Sequence, residues 1–579
     1  MKHHDWNYLR EYWKYLRKYW SVLIWGFVLI PAISIFHLVQ PLLLRHGIDQ
    51  NILKKDIPGL YTTVFVFGLC VLLELVCRSA QSYIFQKVGI QSVTDIRRDL
   101  FRHLLTLSST YFDKTPVGIL VSRITSDIES LNESFSSGAV TLLTDLLTLF
   151  LIFVAMFVLS PKLTLVTLVF LPFLMLIVNY FRKKLRVLFN KIRSVAGALN
   201  GYLQEQLNGV QIVQLLRREK RNFQIFGRLS REYNQAALHS VYYDALLYSV
   251  VEATSSVVIG VILWKGYKAY LGETITLGVL VAFIEYIQKF FNPLKELSSK
   301  FAVLQQALAA LEKIFQSFAL KDRIPSGTRT ISAPKGHLIF RNVSFAYPGF
   351  ESKPVLKNIS FEIKPGEVVA IVGPTGSGKT SISRLISHLY TGYRGDIELD
   401  GVEIRDLTLA SLRSNISVVL QEVALFSGTI AFNITLGEEG IPLNAVKKVA
   451  EWVQLDNFIQ TLPEKYATLL KGRNGCLSAG QAQLLSFARA ILKKTPILVL
   501  DEATASVDSL NEKLIQKAIE NIFKEKTVLV IAHRLSTIQK ANKIIALRDG
   551  EIVETGTHEE LMNANGFYAK LFRMQFTHL

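Results

Sequence analysis

Apolar positions along the chain fall into two regimes, with the change near residue 320. Between 20 and 292, six apolar stretches recur at about 20–44, 60–85, 138–160, 162–181, 245–271 and 274–292. A helix needs about 20 apolar residues to cross about 30 Å of hydrocarbon, so each stretch predicts a membrane span. Only Ser160-Pro161-Lys162 separates the third from the fourth, which predicts a tight hairpin between antiparallel spans. The connections at 45–59 and 266–274 are short. Those at 86–137 and 182–244 are long, basic and helical in composition, and predict helices that project beyond the bilayer. From Lys321 to Gly336 the chain turns to Pro, Gly, Ser, Thr and charge, the signature of a linker. Short apolar runs then alternate with helix-like segments, an α/β pattern. The expected division is therefore a membrane domain at 20–320, a linker at 321–336 and an α/β domain at 337–579.

Before the first span, Trp6, Tyr8, Tyr12, Trp13, Tyr15 and Tyr19 interleave with Arg10, Lys14, Arg17 and Lys18. Such a segment (1–19) suits a helix lying at the membrane interface, with a partner-binding helix as the alternative. The formal charge of +18 is explained by its distribution: Arg182, Lys183, Lys184, Arg186, Lys191 and Arg193 directly follow a span. The positive-inside rule then puts the long loops and both termini in the cytoplasm, as expected of a multi-pass protein of the cytoplasmic (inner) membrane. Nucleic acid is not an expected partner. Three cysteines, Cys70, Cys77 and Cys476, make no disulfide framework. No metal-ligand cluster, cleavable signal peptide or peptidase domain ahead of the first span is expected. Glu74, Glu252 and Glu285 fall inside spans, with Asp145 near an end. Intramembrane carboxylates either line a cavity, where they can receive a cationic substrate, or pair with another group. Glu285 has Lys289 at the i,i+4 spacing.

The chemistry lies in the second half. Gly373-Pro374-Thr375-Gly376-Ser377-Gly378-Lys379-Thr380 follows the apolar run Val368–Val372 and precedes a helix-like segment. G-x-x-x-x-G-K-[ST] between strand and helix predicts a phosphate loop: backbone N–H groups curl around phosphate oxygens, aided by the helix N-terminus. Lys379 reaches the β- and γ-phosphates and the Thr380 hydroxyl ligates Mg²⁺. Pro496 to Leu500 is a second apolar strand, ending in Asp501-Glu502. There Asp501 is placed to hold Mg²⁺ through water, and Glu502 to polarise the attacking water.

Further motifs resemble the ATP-binding cassette (ABC) exporters over essentially the whole chain. Leu477-Ser478-Ala479-Gly480-Gln481 is similar to the family signature, which caps the γ-phosphate of ATP on the opposite subunit. By the same resemblance Tyr347 stacks on adenine and Gln421 touches the metal. His533 holds the γ-phosphate and helps orient Glu502, while Ser506-Val507-Asp508 is the D-loop that crosses to the partner. Thr110 to Asp127, with Tyr111, Phe112, Pro116 and Gly118, resembles the first intracellular coupling loop, and Gln204 to Gln211, with Glu205 and Gly209, the second. The implied fold is the type I ABC exporter fold: six transmembrane helices followed by an α/β P-loop cassette, with ATP and Mg²⁺ as cofactors. The implied activity is ATP-driven efflux of drugs, lipids or peptides by an alternating-access dimer. Alternatives are a dedicated lipid flippase, a peptide exporter, an importer on the exporter scaffold, an ATP-gated channel or a regulatory ATPase. Two departures stand out: Ala479 replaces the usual signature glycine, and Lys471-Gly472-Arg473-Asn474 replaces Gly-Glu-Arg-Gly. Such changes resemble those of heterodimeric exporters with one degenerate ATP site, and imply a second half-transporter as partner, a homodimer being the alternative.

Overall fold

The structure is a computed structural model that describes residues 3–421, 423–470, 477–501, 509–531 and 535–576. Two compact units emerge, one of Met1–Leu105 with Gly118–Leu320, the other of Thr106–Val117 with Lys321–Leu579.

The first unit is helical throughout. An amphipathic helix, His3–Arg17, buries Tyr12 and Leu16 and leaves Trp6 and Trp13 exposed. Lys18 and Tyr19, just after it, both donate to the Asp95 carboxylate (2.7 and 2.9 Å). Long helices follow at Trp20–His46, Ile57–Leu104, Val140–Leu159, Pro161–Asn208, Glu219–Leu271 and Leu277–Phe318. Local chemistry sets their starts. Asp56 accepts from the Gly59 N–H with Pro58 in the first turn, and Thr276 accepts from the Val279 N–H. At the expected hairpin a single extended residue, Ser160, ends one helix and caps the next, which opens on Pro161.

Among the described residues, five of these helical segments are long and apolar enough to cross a membrane. The sixth, Leu277–Phe318, carries Glu285 and Lys289 within its apolar half. At about 1.5 Å per residue the 48 residues of Ile57–Leu104 extend about 72 Å, more than twice the hydrocarbon thickness. The long basic connections are thus largely continuations of the span helices. In Ile57–Leu104 only 6% of the apolar window is buried, so its apolar surface faces outward, as in a protein whose solvent there is lipid. Inside, Phe283, Tyr286, Ile287 and Phe291 are fully buried, and hydroxyl groups stitch helices together. Ser34 Oγ and Thr148 Oγ1 lie 2.9 Å apart, and Tyr286 donates to the Leu38 carbonyl (2.6 Å).

The second unit is α/β. Its strands are β1 (Leu338–Phe345), β2 (Leu356–Ile363), β3 (Val368–Val372), β4 (Arg394–Leu399), β5 (Val402–Glu403), β6 (Ile416–Val419), β7 (Gly428–Thr429), β8 (Leu469–Leu470), β9 (Ile497–Asp501), β10 (Thr527–Ile531), β11 (Lys543–Arg548) and β12 (Glu551–Gly556). The main sheet runs β12-β11-β3-β10-β9-β6, parallel except for β12. All five residues of β3, β9 and β10 are buried, as an apolar run covered on both faces requires. One face packs on helices through Val368, Ala370, Leu498, Leu500 and Val530; the other, through Val369, Ile371, Val499 and Leu529, meets the antiparallel sheet β2-β1-β4-β5. In register, Ile531 pairs with both Ile371 and Asp501, so the ends of β3, β9 and β10 lie side by side. Residues 321–336 are irregular but pinned: Gly327 and Thr328 donate to the Leu407 and Asp406 carbonyls, and the Asp400 carboxylate accepts from the N–H groups of Lys335, Gly336 and His337.

Candidate nucleotide site and coupling elements

At the end of β3 the chain loops through 373–378 and enters the helix Lys379–Ile386. Gly376 and Gly378 adopt φ of +85° and +102°, where side chains are disfavoured. A Cβ on Gly378 would also lie 2.9 Å from the Val355 carbonyl, whereas one on Gly376 would meet nothing within 4 Å. The loop top, Pro374, Thr375 and Gly376, is exposed. Lys379 is 6% exposed and donates to the carbonyls of Gly373 (2.8 Å) and Pro374 (2.9 Å), a cation held at the centre of the loop. The buried Ser377 hydroxyl has no hydrogen-bond partner among the described residues.

β9 delivers Asp501 to this loop. Its carboxylate, 3% exposed, accepts from Thr380 (3.4 Å) and Ser383 (3.2 Å). An open glycine-lined turn, a buried lysine, an unsatisfied hydroxyl and a threonine–aspartate pair together fit a polyphosphate with a divalent cation. Tyr347, after β1, donates to or accepts from Ser381 Oγ (3.0 Å) and accepts from Arg384 (3.1 Å). Gln421 lies exposed just past β6. Glu502, Ser506, Asp508 and His533, and the upstream 471–474, lie outside the described residues.

The signature stretch is described from Leu477 onward. Leu477 is buried; Ser478 caps the helix Ala479–Leu492, accepting from the Gln481 N–H (3.2 Å) while Gln481 accepts from the Ser478 N–H (2.9 Å). Ser478 and Ala479 are exposed and Gly480 is buried. Ala479 is the first helical residue, so this backbone does not need the conformational freedom of the glycine it replaces. What remains is one methyl on an exposed helix start.

The two stretches expected to be coupling loops behave differently. Tyr111 and Phe112 lie in a short helix, Ser109–Lys114, that groups with the α/β unit, their rings edge-on at 5.6 Å. Pro116 separates it from the next helix, which contains exposed Gly118. Glu205 and Gly209 sit in the helical unit, where the Gly209 N–H donates to the Glu205 carbonyl (3.0 Å) at a helix end. Sequence reasoning did not single out Asp113, Arg384 or Tyr390: Tyr390 reads as a core aromatic, and Asp113 as one polar residue of a loop.

Of the intramembrane carboxylates, Glu74 is paired. It accepts from Gln40 (2.5 Å) and Arg78 (3.1 Å), and His37 Nδ1 lies 3.4 Å away. Lys289 donates to the His37 carbonyl (3.0 Å) and Gln40 Oε1 (2.8 Å) rather than to Glu285. The cluster ties three helices together. Asp145 accepts from Lys300, which also lies 3.0 Å from Glu296. Glu285 is partly buried and Glu252 exposed. Glu74 is 13% exposed and Arg78 62%, so removing the carboxylate costs at most about 3 kcal/mol, the lower end for a buried ionic network. Glu74→Ala is therefore expected to lower the thermal unfolding midpoint of the detergent-purified protein, and Glu74→Gln, which keeps hydrogen bonding, to lower it less. An unchanged midpoint for Glu74→Ala would remove the structural role given to this pairing.

Comparison with known proteins matches the same two regions. Residues 23–294 match the family model of the ABC transporter transmembrane region, and residues 356–505 that of the ABC transporter. The chain is 37% identical over 543 residues to YknV, an ABC transporter ATP-binding protein of Bacillus subtilis, covering 93% of this chain and 90% of the relative. It is 36% identical over 541 residues to the ATP-dependent lipid A-core flippase of Thiobacillus denitrificans, covering 93% of each. Among solved structures, a bacterial Atm1-family ABC exporter with ATP bound superposes with a TM-score of 0.80 at 25% identity, over 96% of this chain and 98% of that one. Spans with outward apolar surface, a phosphate loop facing a buried aspartate and these matches converge: the chain belongs to the ABC transporter family, as an exporter-type half-transporter that couples ATP hydrolysis to transport across a membrane.

Proposed function

We propose that this half-transporter drives amphipathic or hydrophobic molecules, drugs, lipids or peptides, out across the cytoplasmic membrane as part of an alternating-access dimer. The observation that carries the reading is the meeting of Lys379, Thr380 and Asp501 at one loop, in a chain whose other half is long helices with outward apolar surface. The flippase of Thiobacillus denitrificans and YheH of Bacillus subtilis, named a probable multidrug resistance ABC transporter and 33% identical over 90% of this chain, support that cargo class. The functional parts are an interfacial segment at 1–19, the membrane domain at 20–320, the linker at 321–336 and the cassette at 337–579, with both termini in the cytoplasm.

In the cassette, Tyr347 receives the adenine ring, and the backbone of 373–378 with Lys379 receives the phosphates. Thr380, Gln421 and Asp501 would hold Mg²⁺, which would neutralise charge on the phosphates. Glu502 takes the proton of the attacking water and His533 orients it. The exposed start of Ala479–Leu492, with Ser478, faces the nucleotide of the partner chain, and Ser506 and Asp508 cross to it. Nucleotide binding can drive the cycle only through its preference for the closed state.

We read Ala479 and the 471–474 departure as marks of a heterodimer in which this chain brings the intact Asp501-Glu502 pair. The helical setting of Ala479, which alanine fills without strain, leaves the homodimer as the second reading. The test of both levels uses one preparation, purified gently from host membrane. Native mass spectrometry is expected to detect two different half-transporters; a dimer of identical chains removes the heterodimer reading. Inverted vesicles carrying the same complex are expected to accumulate Hoechst 33342 or a fluorescent phospholipid with ATP. Sustained ion current with ATP and no stoichiometric uptake would instead mark a channel.

A further inference from the structure

The first-loop tip and the aromatic beside the phosphate loop belong to one compact unit, and two side chains connect them. Tyr390, just beyond the helix that follows the phosphate loop, has a buried ring that meets Tyr347 edge-on at 5.1 Å and 90°. Its hydroxyl donates to the carboxylate of Asp113 in Ser109–Lys114. Burial first, and the carboxylate second, hold this phenol well above its usual range, so it stays protonated and donates. Asp113 also lies near enough to Arg384 to favour its charge, and Arg384 donates to the Tyr347 hydroxyl. Lys114, the next residue, exerts a weaker pull on Glu351, in the turn after Tyr347. The base of the tip is fixed as well: Ser108 N–H donates to the Asp322 carbonyl (2.8 Å), and Leu107 pairs with Arg323.

We infer that Tyr390 and Asp113 are positioning residues that report occupancy of the base site to the first cytoplasmic loop. The inference rests on the reading of Tyr347 as the adenine partner. In a close-packed core a ring cannot tilt without its edge-on neighbour following. A base seated on Tyr347 restricts that tilt, and Tyr390 carries the restriction to a charge-assisted hydrogen bond whose strength falls steeply with angle. The stacking step of this path needs a base on Tyr347, whereas Lys379 and the loop backbone receive the phosphates; the two share only the Tyr347 hydroxyl's contacts with Ser381 and Arg384 of the helix that follows the loop. A phosphate chain without a base therefore fills the phosphate loop and leaves the tip unset.

The test is hydrogen–deuterium exchange on the full dimeric transporter in lipid nanodiscs, with Mg²⁺ and either the non-hydrolysable analogue AMP-PNP or inorganic tripolyphosphate. Each is added until exchange at 373–380 is maximally slowed. AMP-PNP is expected to slow exchange at 106–117 about tenfold, the factor one hydrogen bond to a charged group supplies, and tripolyphosphate to leave it unchanged. Tyr390→Phe and Asp113→Ala are each expected to abolish the effect at 106–117 while protection at 373–380 persists. The double variant is expected to lose no more than either alone. Two variants at separate sites guard against a folding defect in one. Equal protection of the tip by tripolyphosphate, or persistence of the AMP-PNP effect in both variants, overturns the inference. Absence of protection at 373–380 in the wild type would instead overturn the nucleotide-site reading beneath it.

Discussion

Lys379→Ala is expected to reduce ATP hydrolysis by the assembled transporter at least about a hundredfold, the scale on which removal of one preorganised charge-stabilising donor acts. The ammonium is held by the Gly373 and Pro374 carbonyls at 2.8 and 2.9 Å and is shielded by the loop, so its field acts in a medium poorer than water. A terminal phosphate in the same cradle meets that charge directly and loses it in the variant. The measurement is phosphate release at saturating Mg-ATP, paired with binding of a fluorescent ATP analogue, and both are expected to fall. Alanine also takes this donor from the buried Gly373 carbonyl, at about 1–3 kcal/mol, while the Pro374 carbonyl keeps the Ser377 N–H (3.2 Å). The thermal midpoint must therefore be recorded alongside; a folded variant that retains near-normal turnover removes Lys379 from the site.

How much of this was legible beforehand depended on whether the cause was local. The run Val368–Val372 is apolar at every position because both faces of β3 are covered, and that pattern with the following glycines announced strand, loop and helix in order. Ser160-Pro161 announced its break because a capping hydroxyl and a proline at the first helical position are local chemistry. The helical composition of the long connections announced that the spans project beyond the bilayer, but not that the helix from Ile57 ends at Leu104, since its apolar stripe fades where lipid ends while its backbone bonding does not. The partners of Glu74 come partly from Trp20–His46, and Lys289 reaches the same Gln40 from Leu277–Phe318. The carboxylate was visible, and its company was a matter of packing. The Tyr390–Asp113 bond joins residues 277 apart, and no spacing rule reaches that far. Ala479 shows the opposite limit: the departure from a family pattern was visible in the sequence, and only its helical position shows it to be one methyl at an exposed helix start.

Glu502→Gln is expected to separate the two functions that Lys379→Ala removes together. β9 brings Asp501 within 3.4 Å of Thr380, and Glu502 is the residue that follows it in the chain. Glutamine keeps size and hydrogen bonding but cannot take a proton from water, and loss of a general base costs about 10²–10⁴-fold in rate. In the proposed site binding relies on the backbone of 373–378, Lys379 and Asp501, none of which changes. The expected result is hydrolysis reduced at least a hundredfold with nucleotide affinity retained, so the nucleotide-bound dimer accumulates and transport halts after closure. Retained affinity is what distinguishes this variant from Lys379→Ala, and it also decides between assemblies. In a heterodimer whose other site is already degenerate, one Glu502→Gln chain per complex is sufficient to stop turnover. In a homodimer, mixed complexes carrying one altered chain keep an unaltered Glu502, and residual hydrolysis in them measures how tightly the two sites are linked. Near-normal hydrolysis by the complex in which every copy of this chain is altered would sink the role given to Glu502 in either assembly.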